Sequence, residues 1–195
     1  MKARFGTFAY DDQRARGGGH PPVLVSRALA ADLGELPAGL LLAKGAAGAV
    51  PYVEVAAEVV GAGNGALKDF SGTLVNAPVL PGSVAISDGV EAFADDGSGR
   101  LVGSAGGVGA VHYGTGAVSV AFEAAVANGT NVTAAYANHL DGVLDEPADT
   151  DVSSSGLVVI HGSVRGDVLK VGATAQASPS AATLARLQAA GIFAD

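Results

Sequence analysis

Between Ser83 and Tyr136 the chain alternates: apolar side chains fall at every second position, and each run stops at a turn that contains glycine. The runs are Ser83, Val84, Ala85 and Ile86; Val108, Ala110 and His112; Val118, Val120 and Phe122; and Val132, Ala134 and Tyr136. A period of two sends successive side chains to opposite faces of a strand, so each run buries one face and leaves the other open. The separators "SDG", "DDGSG", "YGTG" and "ANGTN" each carry a residue able to take positive φ, as tight hairpins demand. A chain punctuated this way folds mainly as antiparallel β. The core that such strands can build is one of small and β-branched side chains: hydrophobic residues are 49%, Trp is absent, and Ala, Val and Gly supply most of the apolar share. The 29 glycines follow no Gly-X-Y period, so they serve turns.

The flanks read differently. In "PPVLVSRALAADLGELPAGLLLAKGAAGAVPYVEV", short apolar runs are cut by Pro37, Gly39, Gly45 and Gly48, which predicts two strands, Leu40 to Lys44 and Val50 to Val55, joined by a turn. "RALAADLGEL" is compatible with a helical turn. "GLVVIHGSV" reads as a buried strand, with His161 inside it in a structural role. "SPSAATLARLQAAGIFAD" predicts a short C-terminal helix with Ser178 as cap, Pro179 at its first position, Leu184 and Leu187 on one face, and Gly191 as terminator. The acids Asp141, Asp145, Glu146, Asp149 and Asp151, scattered around Pro147, read as a solvated loop.

A formal net charge of −8 with 11 Lys and Arg argues against nucleic acid as partner, since affinity for a phosphate backbone comes from cations. Zero Cys excludes disulfides and thiolate metal sites, and fits a reducing compartment or a particle stable without staples. No apolar run is long enough to span a bilayer and no export signal is evident at the N-terminus, so neither membrane association nor secretion by that route is expected. No metal or cofactor is expected. Asp95, Asp96, Gly97 and Ser98 begin like a calcium loop, but the distal acid is missing and Arg100 leads into an apolar run, so a hairpin turn is expected. Gly61, Gly63 and Gly65 lack the spacing and the following helix of a dinucleotide fingerprint. No Gly-x-Ser-x-Gly elbow or His-Glu-x-x-His is present, and His20, His112, His139 and His161 lie far apart, so a non-enzymatic protein is expected.

The first twenty residues mix Phe5, Phe8 and Tyr10 with Lys2, Arg4, Arg14 and Arg16 before three glycines. They read as an N-terminal arm, either an unstructured end or a segment that orders on a partner.

"LLLAKGAAGAVPY", "GVLDEPADTDVSSSGLVVIHGSVRGDVLKV" and the closing "LARLQAAGIFA" resemble the head decoration, or capsid cement, proteins of tailed bacteriophages, the lambda-like family. The stretch from "GNGALKDFSGTLVNAPVLPGSVAISDG" through "NGTNVTAAY", continuous over about 75 residues, resembles a β-rich module that recurs in phage structural proteins. Together the resemblances imply an arm (1–20), a split decoration domain of mixed β/α type (21–60 and 137–195) and an inserted antiparallel β-sandwich-like module (61–136). They imply a structural virion protein, made in the cytoplasm of a host bacterium, that stabilises the expanded shell from outside. Its partners would be the major capsid protein and itself, as a homotrimer. The capsid contact would fall on Phe5, Phe8, Tyr10, Arg14 and Arg16 of the arm. The other reading is a tail- or fibre-associated β-module that binds a host surface or another tail protein.

Overall fold

The computed structural model describes residues 14–195. Four strands come first: β1 (Val23–Ala28), β2 (Glu35–Leu36), β3 (Leu41–Ala43) and β4 (Val50–Pro51). Eight follow: β5 (Glu54–Ala62), β6 (Asp69–Thr73), β7 (Ala85–Ser87), β8 (Ala92–Asp95), β9 (Arg100–Gly103), β10 (Val108–His112), β11 (Ala117–Ala121) and β12 (Asn131–Ala137). The chain closes with β13 (Leu140–Leu144), β14 (Ala148–Asp149), β15 (Ser155–Val164), the helix α1 (Ala181–Ala189) and β16 (Ile192–Ala194). The protein is mainly β with one short C-terminal helix, as expected.

The strands sort into two principal sheets. The chain's two ends build the first, in the order β1, β15, β13, β3, β4, with β16 parallel to the far end of β15. Both faces of this sheet are covered. Leu41, Tyr52, Val143, Val159, Leu187 and Ile192 fill one side, and Leu29, Leu40, Leu42, Leu144 and Val158 the other. That double burial explains why "LLLA" and "LVVI" are unbroken apolar runs, whereas the middle of the chain alternates.

The second sheet holds β5, β12, β7, β8, β9, β10, β11 and β6, in that order, and each sequentially paired neighbour is antiparallel. The expected sandwich-like module is one sheet rolled into a nearly closed barrel. The outer strands approach so closely that a Cβ on Gly61 of β5 would lie 2.8 Å from the Phe70 ring of β6. Every second residue of the strands points inward, and Phe122 makes edge-to-face contacts with Phe70 and Phe93 at centroid distances of 5.7 and 4.9 Å. The expected turn glycines Gly89, Gly97, Gly99, Gly116 and Gly129 all have positive φ.

Three expectations need correction. No helical turn forms over Arg27–Leu36: β1 runs to Ala28, Asp32 takes φ 60°, and β2 follows. The N–H groups of Leu29 and Ala30 bond to Ser154 and Ala49 carbonyls, so tertiary partners outbid local helix propensity. The cap of α1 is Ser180, whose Oγ accepts from Thr183 N at 3.1 Å; Ala177 is still bridged to Val171, so the chain at Ser178 has not yet turned. Leu187 is buried but Leu184 is 37% exposed, because Thr183 and Leu187, one turn apart, face the sheet. Gly191 does end the helix, at φ 83°.

The junction between the sheets lies at Val53/Glu54 and Ala137/Asn138, and β5 therefore runs straight through the expected boundary at 60/61. Glu54 and Ala137 are register partners. Buried Asn138 ties the two crossings together: its Oδ1 accepts from Val53 N at 2.9 Å and its Nδ2 donates to Pro51 O at 3.1 Å.

Candidate interaction surfaces

The residues assigned to a capsid contact divide into two groups. Phe5, Phe8 and Tyr10 lie outside the described residues; Arg14 and Arg16 lie within them, both partly buried. Arg16 faces inward. Its Nε donates to Asp145 Oδ2 at 2.8 Å, its Nη2 pairs with the same oxygen, and its backbone N–H donates to Oδ1 at 2.9 Å. The Asp145 side chain is completely buried at the end of β13, so the expected solvated acid is instead a buried carboxylate neutralised from 129 residues away. Glu146 approaches the same guanidinium at 3.4 Å from a more exposed position. Asp141, also expected in solvent, is 10% exposed under Arg27, Nε to Oδ2 3.0 Å, a charge contact without hydrogen-bond alignment.

Residues 15–20 are stitched to the fold. Ala15 is fully buried in the core beside Val164 and Ile192; its N–H donates to Asp145 O and its carbonyl accepts from Arg165 N. Gly17 N bonds Ser163 O, and Ser163 N bonds His20 O. The three glycines do not release the arm from the body. They close over the Asp195 carboxylate, which accepts from Gly19 N at 3.1 Å, and a Cβ on Gly17 would meet its Oδ1 at 2.4 Å. The arm reading therefore does not hold for residues 15–20. Beside them, His20 and His161 meet edge to face at 5.2 Å, with Phe193 next to both; His161 sits on an exposed face of β15 rather than in the core.

The Asp95–Arg100 stretch is a hairpin turn between β8 and β9, and its carboxylates are filled by the chain's own donors. Asp95 accepts from Gly82 N, Gly97 N and the Tyr113 hydroxyl at 2.7, 2.9 and 2.5 Å. Asp96 accepts from the Ser98 hydroxyl and N–H at 2.6 and 2.8 Å, and these bonds hold its carboxyl below the usual range. Burial, then the bond to Asp95, pushes the Tyr113 phenol up.

Sequence reasoning missed one feature. The short strands β2 and β14 pair outside the main sheet and line a cleft of about 610 Å3 with Leu36, Pro37, Pro147 and Ala148 as apolar wall. Glu35 and Asp149 also line it, directly opposite each other in the ladder. Neither strand exceeds two residues, so no periodicity marks it. On the barrel, Val102 and Val108 are cross-strand partners on the outer face, 44% and 56% exposed.

No protein-family model, no curated protein and no solved structure matches the chain.

Proposed function

We propose that the protein is a structural virion protein, a head decoration protein that binds the outer surface of a tailed-phage capsid and stabilises the expanded shell. One observation carries this reading. The three separated stretches that resemble decoration proteins fall together in the two-faced sheet and the elements beside it: "LLLAKGAAGAVPY" supplies β3 and β4, "GVLDEPADTDVSSSGLVVIHGSVRGDVLKV" supplies most of β13, then β15, with the separate short strand β14 between them, and "LARLQAAGIFA" supplies most of the helix α1 and then β16. The continuous stretch with the second resemblance covers the barrel apart from β5 and the last residue of β12. Sequence likeness and structural division thus run along nearly the same lines. Capsid contacts on this reading come from residues 1–14 together with the surface from which they emerge; Arg16 serves as their anchor, not as a contact. The protein self-associates as a trimer and binds at local symmetry axes of the shell.

A ligand that binds only the expanded lattice stabilises it by mass action, in proportion to occupancy. The test is co-sedimentation with expanded shells lacking their own decoration protein, with unexpanded proheads as control. The expected result is saturable binding to expanded shells alone and a higher shell melting temperature, with a trimer mass in sedimentation. No binding to either shell, with binding to host cells or purified tails, would replace this reading by the tail-associated one.

A further inference from the structure

We propose that the outer face of β9, β10, β11 and β6 on the barrel packs against the same face of a second copy, about a two-fold axis that runs along the strands between β10 and β11. The ladder registers lay this face out in rows. Val102, Val108, Ala121 and Asp69 are successive cross-strand partners from β9 to β6, and Arg100, Ala110, Ser119 and Ser71 form the next row. All of them point outward, because Leu101, Val120 and Phe70, which alternate with them, are buried in the barrel.

The relief of this face suits a copy of itself. Val102 and Val108 form a ridge, 44% and 56% exposed. Beside the ridge lies a hollow of about 420 Å3, where Ala110, Ser119, Ala121 and Ser71 are small, with Val108 at one rim and Asp69 at the other. A two-fold axis between β10 and β11 exchanges ridge for hollow. Val108 of each copy then comes over Ala121 of the other, and Ala110 over Ser119.

The charges obey the same exchange. Arg100 is the cation of the two rows and Asp69 the acid; they stand on opposite edges of the face, and neither forms an ion pair among the described residues. Asp96, across the turn from Arg100, is occupied by the Ser98 hydroxyl and N–H. The axis that brings Val108 over Ala121 also carries β9 over β6. Each Arg100 then lies over Ser71 of the other copy, about 7 Å along the strand from Asp69, and sheets packed about 10 Å apart leave its side chain long enough to reach that carboxylate. Two opposite-charge pairs therefore rim a centre of small and apolar side chains. The contact draws on about a dozen residues a side, against about 20–30 in a standard stable interface, so the pairing is weak and grows with concentration. It rests on the barrel alone and holds or fails independently of the capsid reading.

The test is sedimentation velocity of the full chain, without shells, from about 10 μM to about 1 mM, the range in which a contact of this size associates. The weight-average mass of the parent is expected to rise reversibly across it. Arg100→Asp and Asp69→Arg each set like charges against each other twice per contact, and each is expected to weaken the association at least about ten-fold. The double change Arg100→Asp/Asp69→Arg restores opposite pairs and is expected to return the association to within about three-fold of the parent. Should Arg100→Asp lose its far-ultraviolet spectrum, Ser119→Arg, which fills the hollow, takes its place and is expected to abolish the rise. A parent mass that stays constant up to about 1 mM overturns the proposal. A rise that the single reversals and Ser119→Arg leave unchanged also overturns it, by assigning the association to another surface. So does a double reversal that associates as weakly as the single ones.

Discussion

Replacing Arg16 by Ala removes the only side-chain cation paired with Asp145 among the described residues, while leaving the carboxylate where water does not reach it. Breaking a buried ion pair from one side costs about 3–5 kcal/mol. Two features reduce that here: the Arg16 side chain is 28% exposed, and the backbone N–H bond to Asp145 Oδ1 survives the substitution. The expected loss is therefore about 2–3 kcal/mol, which for a chain of this length lowers the melting temperature by roughly 5–10 °C. Arg16→Lys keeps the charge but not the two-pronged geometry and should fall between. Arg16→Met with Asp145→Leu should recover most of the loss, since an apolar pair avoids the desolvation cost of the ionic one. Calorimetry with urea titration measures all three variants, and a double-mutant cycle completed with the single Arg16→Met and Asp145→Leu changes isolates the coupling. A truncation beginning at His20 should lose more than Arg16→Ala, because it also removes buried Ala15 and the backbone bonds to Asp145, Arg165 and Ser163. Should Arg16→Ala melt within about 1 °C of the parent, the buried pair is not what fastens this end.

Three further outcomes follow from the barrel and the junction. Glu91 is 4% exposed and its carboxylate accepts from Gly107, Ala105 and Glu123 N–H at 2.8, 3.2 and 2.8 Å. Glu91→Gln must turn an NH2 toward one of these donors and should cost about 2 kcal/mol in urea unfolding, a value near zero refuting the role. Burial above all raises the phenol pKa of Tyr52, Tyr113 and Tyr136. A raised folded-state pKa contributes stability that is complete below the unfolded value and is lost as pH rises through the folded one. Stability should therefore decline above about pH 10, less steeply in Tyr136→Phe, and phenolate absorbance in the native protein should appear late; early ionisation of all the tyrosines would contradict it. Replacing Val55–Tyr136 by an Asn-Gly turn across the Glu54 and Ala137 rung should leave a first sheet that still unfolds cooperatively, at some cost from losing Leu80, which packs on its core. Aggregation of that product would mean that the two cores are one.

What was legible in the sequence depended on whether the determining contacts were local. The barrel strands could be read because alternation and positive-φ glycines are written within a few residues of where they act. "LLLAKGAAGAVPY" gave its hairpin for the same reason. Arg27–Leu36 was misread because its backbone donors find partners at Ala49 and Ser154, and Ser178 because the bridge from Ala177 to Val171 holds the chain extended past it. Asp145 looked like one more loop acid. The one local sign against that is its position directly after "GVL", where a strand buried on both faces ends, and nothing nearby names Arg16 as its partner.

The junction shows most clearly why a module's attachment is hard to read from composition. A tethered insertion is expected to hang on Gly- or Ser-rich linkers, yet the crossings here are "YVEVAAE" and "AYANHL", with neither. Both sheets hold this place. Glu54, the first residue of β5, accepts from the Thr183 hydroxyl at 2.8 Å and the Tyr52 hydroxyl at 3.3 Å, and it pairs with Arg186 of α1. Thr183 is buried, and its hydroxyl also meets the capping Ser180. On the other strand, Asn138 binds both crossings, and Val79 of the barrel is bridged to it. The C-terminal helix thus clamps the root of the barrel while Leu187 on its inner face packs into the first sheet. Any surface the barrel offers to a partner is therefore held at a set angle to the sheet that the chain's two ends build, without the orientational freedom of a linker and without the entropy of ordering one on binding.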